Sequence, residues 1–284
     1  MIFPLAMLTL LFSQRVMQAV ALSARVFAQS VLPSLFPMMV LGRLAPSGGS
    51  AAGLMAFAFL CGSPAAAQRV QGAVESGCLP SERLESLAAV TGVMSPMFFV
   101  GALAGWTGKT AAAWVMLGCH WLSALLVGGL WRLLAKPAAI KPARASLPRR
   151  EGLPQAILSS CQAMLGICGA MMLFSAAMAV LEGALTTLFP AWAQANQRLL
   201  ALVWALLEIG GGASAVTGLW PAPPMALLCG LCSFGGLSIW LQNLLFVGKY
   251  IRPAKLLAIR ALHGAAAYGL CAAAFALLTP FLSF

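Results

Sequence analysis

The chain has 284 residues, 61% of them hydrophobic and only 8% charged, and its mean hydropathy is +0.93; soluble domains carry about a quarter charged residues, so a water-soluble fold is excluded. Seventeen Lys and Arg against six acidic residues, all Glu, give a net charge of +11, but the cations fall between apolar runs, which points to membrane flanks rather than to nucleic acid. With no Asp and only His120 and His263 as histidines, an Asp-oriented triad and a His-rich metal site are excluded, so no enzyme, metal or cofactor is expected.

A helix that crosses a bilayer needs about 20 mostly apolar residues. Residues 1–26 open with an apolar run over 1–12 that lacks the basic start of a secretory leader; it is expected to remain as an anchor, followed by an amphipathic segment. The runs 27–45, 51–61 and 87–106 are short or interrupted by Gly, Pro or charge, whereas 110–134 is a full span. Next comes the linker 136–155, carrying Lys136, Lys141, Arg144, Arg149 and Arg150 among Pro137, Pro142 and Pro148. The prolines prevent a continuous helix, and cations beside spans accumulate on the cytoplasmic side. The second half offers full spans at 156–181, 222–247 and 256–282 and an irregular one at 201–219. Lys249, Arg252, Lys255 and Arg260 make a second basic loop, also expected inside.

With both loops inside, 110–134 runs inward and its counterpart 256–282 runs outward. The expectation is an all-α polytopic membrane protein made of two inverted-topology repeats, 27–135 and 156–284, each with broken or re-entrant helices. Interruptions recur in matching order: Cys61-Gly62-Ser63-Pro64 and then Ser95-Pro96 in the first half, Ile209-Gly210-Gly211-Gly212 and then Ser233-Phe234-Gly235-Gly236 in the second. Broken helices in corresponding positions are the signature of secondary transporters, whose sites form where the breaks meet.

Ser is a good helix N-cap and Pro suits the first helical turn, so Ser63-Pro64 and Ser95-Pro96 predict helix starts at membrane depth, whose unpaired N–H groups suit an anion or a polarised oxygen. The structural alternative is a proline kink repaired by neighbouring helices. Glu208, ahead of three glycines, reads as a polar wall or a proton-coupling group at a break; its alternative is a carboxylate at the water boundary. Ser233, Ser238, Gln242 and Asn243 form a polar stripe that either contacts a solute or joins helices, with Ser238 and Gln242 on one face. Gly101-Ala-Leu-Ala-Gly105 is a small-residue packing face, and His120 and His263 read as packing or interfacial residues. The eight cysteines read as small buried hydrophobes.

Leu32-Pro33-Ser34-Leu35-Phe36-Pro37, Gly62-Ser63-Pro64, Ser95-Pro96-Met97-Phe98, Leu206-Leu207-Glu208-Ile209 and Phe234-Gly235-Gly236-Leu237-Ser238-Ile239 together resemble the YlbJ-type (SpoVV-like) sporulation integral membrane proteins, over about residues 30–270. Those proteins carry two nucleoside-recognition Gate domains. The resemblance implies a transporter of a small organic solute, dipicolinate first, in the bacterial cell membrane, and in a spore former in the outer forespore membrane. Its partners would be that solute, membrane lipids and a coupling ion. A nucleoside-like solute is the alternative, as is a non-transporting scaffold docking through the linker. The expected site comprises Gly62, Ser63, Pro64, Ser95, Pro96, Glu208, Gly210, Gly211, Ser233, Gly235, Gly236, Ser238 and Gln242. The chain departs from the family where Gly62-Ser63-Pro64 and Gln68 replace Gly-Tyr-Pro and a Lys, and where Gly210-Gly211-Gly212 replaces Thr-Asn-Gly.

Overall fold

The structure, a computed structural model, describes residues 2–44, 51–79, 84–134, 152–222 and 224–278; most of the basic linker lies outside them. Among the described residues all regular structure is helical. Long unbroken apolar runs favour this, since backbone N–H and C=O groups in hydrocarbon must find partners within the chain and a helix supplies them locally. Four stretches are long and apolar enough to cross a membrane: Thr110–Leu134, Leu153–Leu188, Met225–Val247 and Pro253–Leu278. They fall on the full-length windows read from the sequence. The chain is an all-α integral membrane protein.

Helices α1 (Ile2–Leu11) and α2 (Ser13–Val26) lead through a π-helical turn at Phe27–Val31 into α3 (Leu32–Leu44). Then follow α4 (Ala51–Cys61), α5 (Ala65–Glu75) and α6 (Leu84–Thr91). The helix resumes at residue 96, passes through a π-helical segment at Phe98–Leu103 and ends as α7 (Ala104–Thr107), ahead of α8 (Thr110–Leu134). The second half contains α9 (Leu153–Leu188), α10 (Pro190–Ala195), α11 (Gln197–Leu207), α12 (Ile209–Leu219), α13 (Met225–Phe234), α14 (Gly236–Val247) and α15 (Pro253–Leu278). With Pro154 in its first turn, where a missing N–H leaves nothing unpaired, α9 extends over 36 residues, about 54 Å at 1.5 Å per residue. Helix α2 lies along α9, where a Cβ on Gly183 would come within 2.6 Å of the Phe12 ring.

Four helical stretches are interrupted: between α4 and α5 at 62–64, between α6 and the next helix at 92–95, at Glu208, and at Gly235. Within the window 222–247 the interruption read at Ser233-Phe234-Gly235-Gly236 is a turn at Gly235, whose φ of +82° is left-handed. Within each half the two breaks lie against each other. Ser63 N–H donates to Val93 O at 2.6 Å, and a Cβ on Gly62 would meet Ser95 N at 2.3 Å. On the other side, a Cβ on Gly236 would stand 3.2 Å from the carbonyl oxygens of Ala205 and Leu207. His120 lies near the middle of the 25-residue α8; its Nε2 accepts the Met94 N–H at 2.9 Å, and its Nδ1 lies 2.7 Å from Ser233 Oγ. The backbone donor assigns the tautomer, leaving the proton on Nδ1 to be donated to Ser233. The breaks at 92–95 and beside Ser233 are thus at mid-depth, and His120, expected to be a packing residue, joins them.

The hydrophobic core draws on both halves. One cluster joins Met39, Leu54, Val70 and Leu87 to Met164, Phe246 and Ile259; another joins Phe99, Leu103 and Met116 to Ile209, Val216 and Leu228. Polar contacts gather at one end. Lys255 Nζ meets Glu85 Oε1 at 2.6 Å, Trp131 Nε1 donates to Glu85 Oε2 at 2.9 Å, and Tyr250 Oη donates to Glu75 Oε1 at 3.2 Å. The last turn of α8, which leads into the linker, therefore lies at the same end as the 249–255 loop. Two expectations are corrected. Gly101 has only the end of Met97 within 4 Å of its Cβ position and Gly105 has nothing, so this glycine pair packs no helix within the described chain. Arg260, read as part of a solvated loop, is 1% exposed, two turns into α15. The cysteines are all free, with Cys61, Cys229, Cys232 and Cys271 buried but Cys78 and Cys161 exposed.

Candidate functional site

A cavity of about 600 Å³ opens where the breaks converge, within the roughly 300–1,000 Å³ typical of small-molecule sites. Ser63 and Pro64 enter it from the first break, Met94 and Ser95 from the second, Glu208, Ile209 and Gly210 from the third. Helix α14, which starts at the fourth, adds Ile239 and Gln242. Phe98 and Trp106 supply an aromatic wall, their rings edge to face with centroids 5.8 Å apart. Gln29, on the π-helical turn before α3, reaches the opposite rim. The lining is thus apolar and aromatic with a few hydroxyl, amide and carboxylate groups, and among the described residues it contains no basic side chain.

Glu208 is 6% exposed and sits at the N-terminus of α12. Its Oε1 accepts the Gly210 N–H at 2.8 Å and its Oε2 the Gly211 N–H at 2.7 Å. A carboxylate here satisfies two otherwise orphaned donors and faces the positive end of the helix dipole, which is what makes a charge tolerable at this depth. Glu208 is therefore neither water-exposed nor free: it is the N-cap of its own helix. Gly210 leaves room beside the carboxylate, while a Cβ on Gly211 would strike the Trp204 ring and one on Gly212 the Ala205 backbone; an acid followed by a Gly run at the start of an apolar helix is the signal that identifies the site.

Ser63 does not cap α5. Its hydroxyl donates to Asn243 Oδ1, the cap position belongs to Pro64, and no side chain accepts from the first turn. This hydrogen bond ties the first break to α14 across the two halves. Gln68, with its amide oxygen turned toward α3, accepts from Arg43 Nε at 3.2 Å and Nη2 at 2.5 Å. Arg69 donates from Nη1 to Gly42 O at 2.7 Å and stacks over the Phe57 ring, 4.8 Å from its centroid, so it braces α3 and α4 rather than facing a solute.

The cavity thus brings together Ser63, Pro64, Ser95, Glu208, Gly210 and Gln242 of the expected set. Gly62, Pro96, Gly211, Ser233, Gly235, Gly236 and Ser238 are not in its walls. Gly62 and Gly236 are occupied in the break crossings, Gly211 lies under the Trp204 ring, Gly235 lies against Arg260, and Ser233 is held by His120. Ser238 is fully buried with no partner for its hydroxyl. Gln29, Phe98 and Trp106 are additions; the signal for Gln29 was an amide within an apolar run. Among the described residues no group of His, Cys or acidic side chains is placed to hold a metal ion.

No family model, no characterised protein and no solved structure matches the chain.

Proposed function

We propose that the chain is a secondary transporter of a small polar heteroaromatic solute, built as two inverted repeats whose broken helices enclose the site. One observation carries this reading: the 600 Å³ cavity lies at the meeting point of interrupted helices. Interrupted helices leave backbone groups unpaired in hydrocarbon, and such groups are tolerated where they line a cavity that a polar ligand or water enters. The correspondence of breaks between halves, each pair crossing at a glycine, supports the inverted repeat.

The edge-to-face aromatics and the methionines around them suit a flat ring, and Ser63, Ser95 and Gln242 suit its polar edge. Dipicolinate is the first candidate, from the resemblance to the YlbJ-type proteins, with the bacterial cell membrane or the outer forespore membrane as its site of action. A nucleoside-like solute is the second, and a specific observation favours it: among the described residues the walls carry no cation to offset two carboxylates, whereas a neutral base and its hydroxyls need none.

The test is uptake into proteoliposomes of the purified chain, with labelled dipicolinate and a labelled nucleoside in parallel under imposed proton and sodium gradients. Flux of either solute above empty vesicles is expected, with competition by the unlabelled compound. Absence of flux for both under every gradient overturns the proposal, and the solute that moves decides between the two candidates.

A further inference from the structure

Glu208 brings a carboxyl group to the wall of the 600 Å³ cavity. Among the described residues no cationic side chain acts on it; burial and the N–H groups of Gly210 and Gly211 are what bear on it. The two half-buried carboxylates are placed differently: Glu85 has Lys255 and Arg252, and Glu182 has Arg15. The N-terminus of a helix offers about half a unit of positive charge, so an ionised Glu208 keeps about half of its own to be met from the cavity. Each of its oxygens accepts one N–H and has a lone pair left for a ligand.

The rest of the wall suits a positive charge as well. Phe98 and Trp106 line the same cavity, and the negative face of an aromatic ring attracts a cation, most strongly where water is excluded. Gln242 is 1% exposed and lines the cavity with an amide that has no partner in the described chain; its carbonyl oxygen is a further acceptor. Among the described residues no Lys, Arg or His stands in the wall to repel a cation. A primary ammonium is a compact, strongly hydrated charge with three donors to satisfy. A ring cation spreads its charge over a flat surface and fits walls that are mostly apolar and aromatic.

We propose that the cavity selects a positively charged heteroaromatic ring, of the pyridinium class, over a neutral or an anionic ring of the same shape. Glu208 supplies the counter-charge, Phe98 and Trp106 the π faces, and Gln242 a contact for a polar substituent. The inference rests on the reading of the cavity as a solute site and sharpens it: among nucleoside-like solutes it favours those with a cationic base, and it places a dianion last.

The test is equilibrium dialysis of the purified full chain in detergent, at neutral pH and constant ionic strength, against three labelled probes that share one ring. These are nicotinate, an anion; nicotinamide, which is neutral; and nicotinamide methylated on the ring nitrogen, a cation. The methylated ring is expected to bind about tenfold more tightly than nicotinamide, with nicotinate weakest. Glu208→Gln should bring the cation and the neutral ring to equal affinity. Because Glu208 also caps α12, a second variant separates charge recognition from folding. Trp106→Leu, at a position 38% exposed and outside that cap, should weaken binding of the cation more than that of nicotinamide. Equal or tighter binding of nicotinamide by the wild-type chain overturns the inference and leaves the cavity a solute site. So does a preference for the cation that survives unchanged in both variants. Binding of none of the three probes also overturns it, and the transporter reading falls with it only if the vesicles take up neither dipicolinate nor the nucleoside.

Discussion

At the scale of single residues, Glu208 shows how a charge is made tolerable at membrane depth. Its two oxygens are both engaged by N–H groups of its own helix, so the side chain completes the backbone hydrogen bonding of α12. Glu208→Gln leaves one accepting oxygen and turns an NH2 group toward a backbone donor. We expect a loss of about 1–2 kcal/mol in stability, read as a fall in the thermal midpoint, along with reduced solute flux. A variant with unchanged midpoint and unchanged flux would remove Glu208 from both roles. The sequence already marked Glu208 as unusual, but its neighbours in space decided the role. The same holds for His120 and Arg260, whose partners Ser233 and Phe234 come from elsewhere in the chain; no local pattern announces them beyond the presence of an ionisable group inside an apolar span.

At the scale of elements, the breaks depend on glycine where two backbones cross. Gly62 has φ +73° and stands against Ser95, so Gly62→Ala meets both left-handed backbone strain and a clash with a backbone that has no room to yield. It should fail to give a stable, monodisperse protein. Gly72, in the middle of α5 with nothing within 4 Å of its Cβ position, provides the contrast: Gly72→Ala should raise stability by roughly 0.5–1 kcal/mol. Size-exclusion profiles and unfolding midpoints of the pair check both outcomes. The full-length spans were legible because length and composition determine them locally, and the Gly and Ser-Pro interruptions were legible as conformational punctuation. What stayed hidden was the crossing of one break over another. The expected Ser63 cap also failed, because Asn243 offers the hydroxyl an acceptor that local sequence does not reveal.

At the scale of the whole molecule, α6, α8 and α15 are clasped at one end by Glu85. Burial raises its carboxyl pKa, but the hydrogen bonds from Lys255 and Trp131 and the charges of Lys255 and Arg252 outweigh that and hold it below the usual 4.5. A carboxyl with a lowered folded-state pKa contributes stability that is complete above its unfolded value and is lost as pH falls through the folded one. Between pH 7 and pH 5 the clasp should therefore be indifferent to pH, and it should weaken below about 4.5. Glu85→Gln should remove that part of the acid sensitivity, which shows as a flatter curve of unfolding midpoint against pH than the wild type gives. The sequence anticipated that the linker entrance and the basic residues Lys249, Arg252 and Lys255 share a side, and the clasp of Trp131 and Lys255 on one carboxylate puts the end of α8 beside the start of α15.

The imidazole of His120 holds a backbone N–H of one half with one nitrogen and a hydroxyl of the other half with its second. Displacing either fracture alone would strand a buried donor, at about 1–3 kcal/mol. If the chain works as the proposed transporter, Met94 and Ser233 are expected to move together as one hub, with the motion distributed to the outer arms of the broken helices.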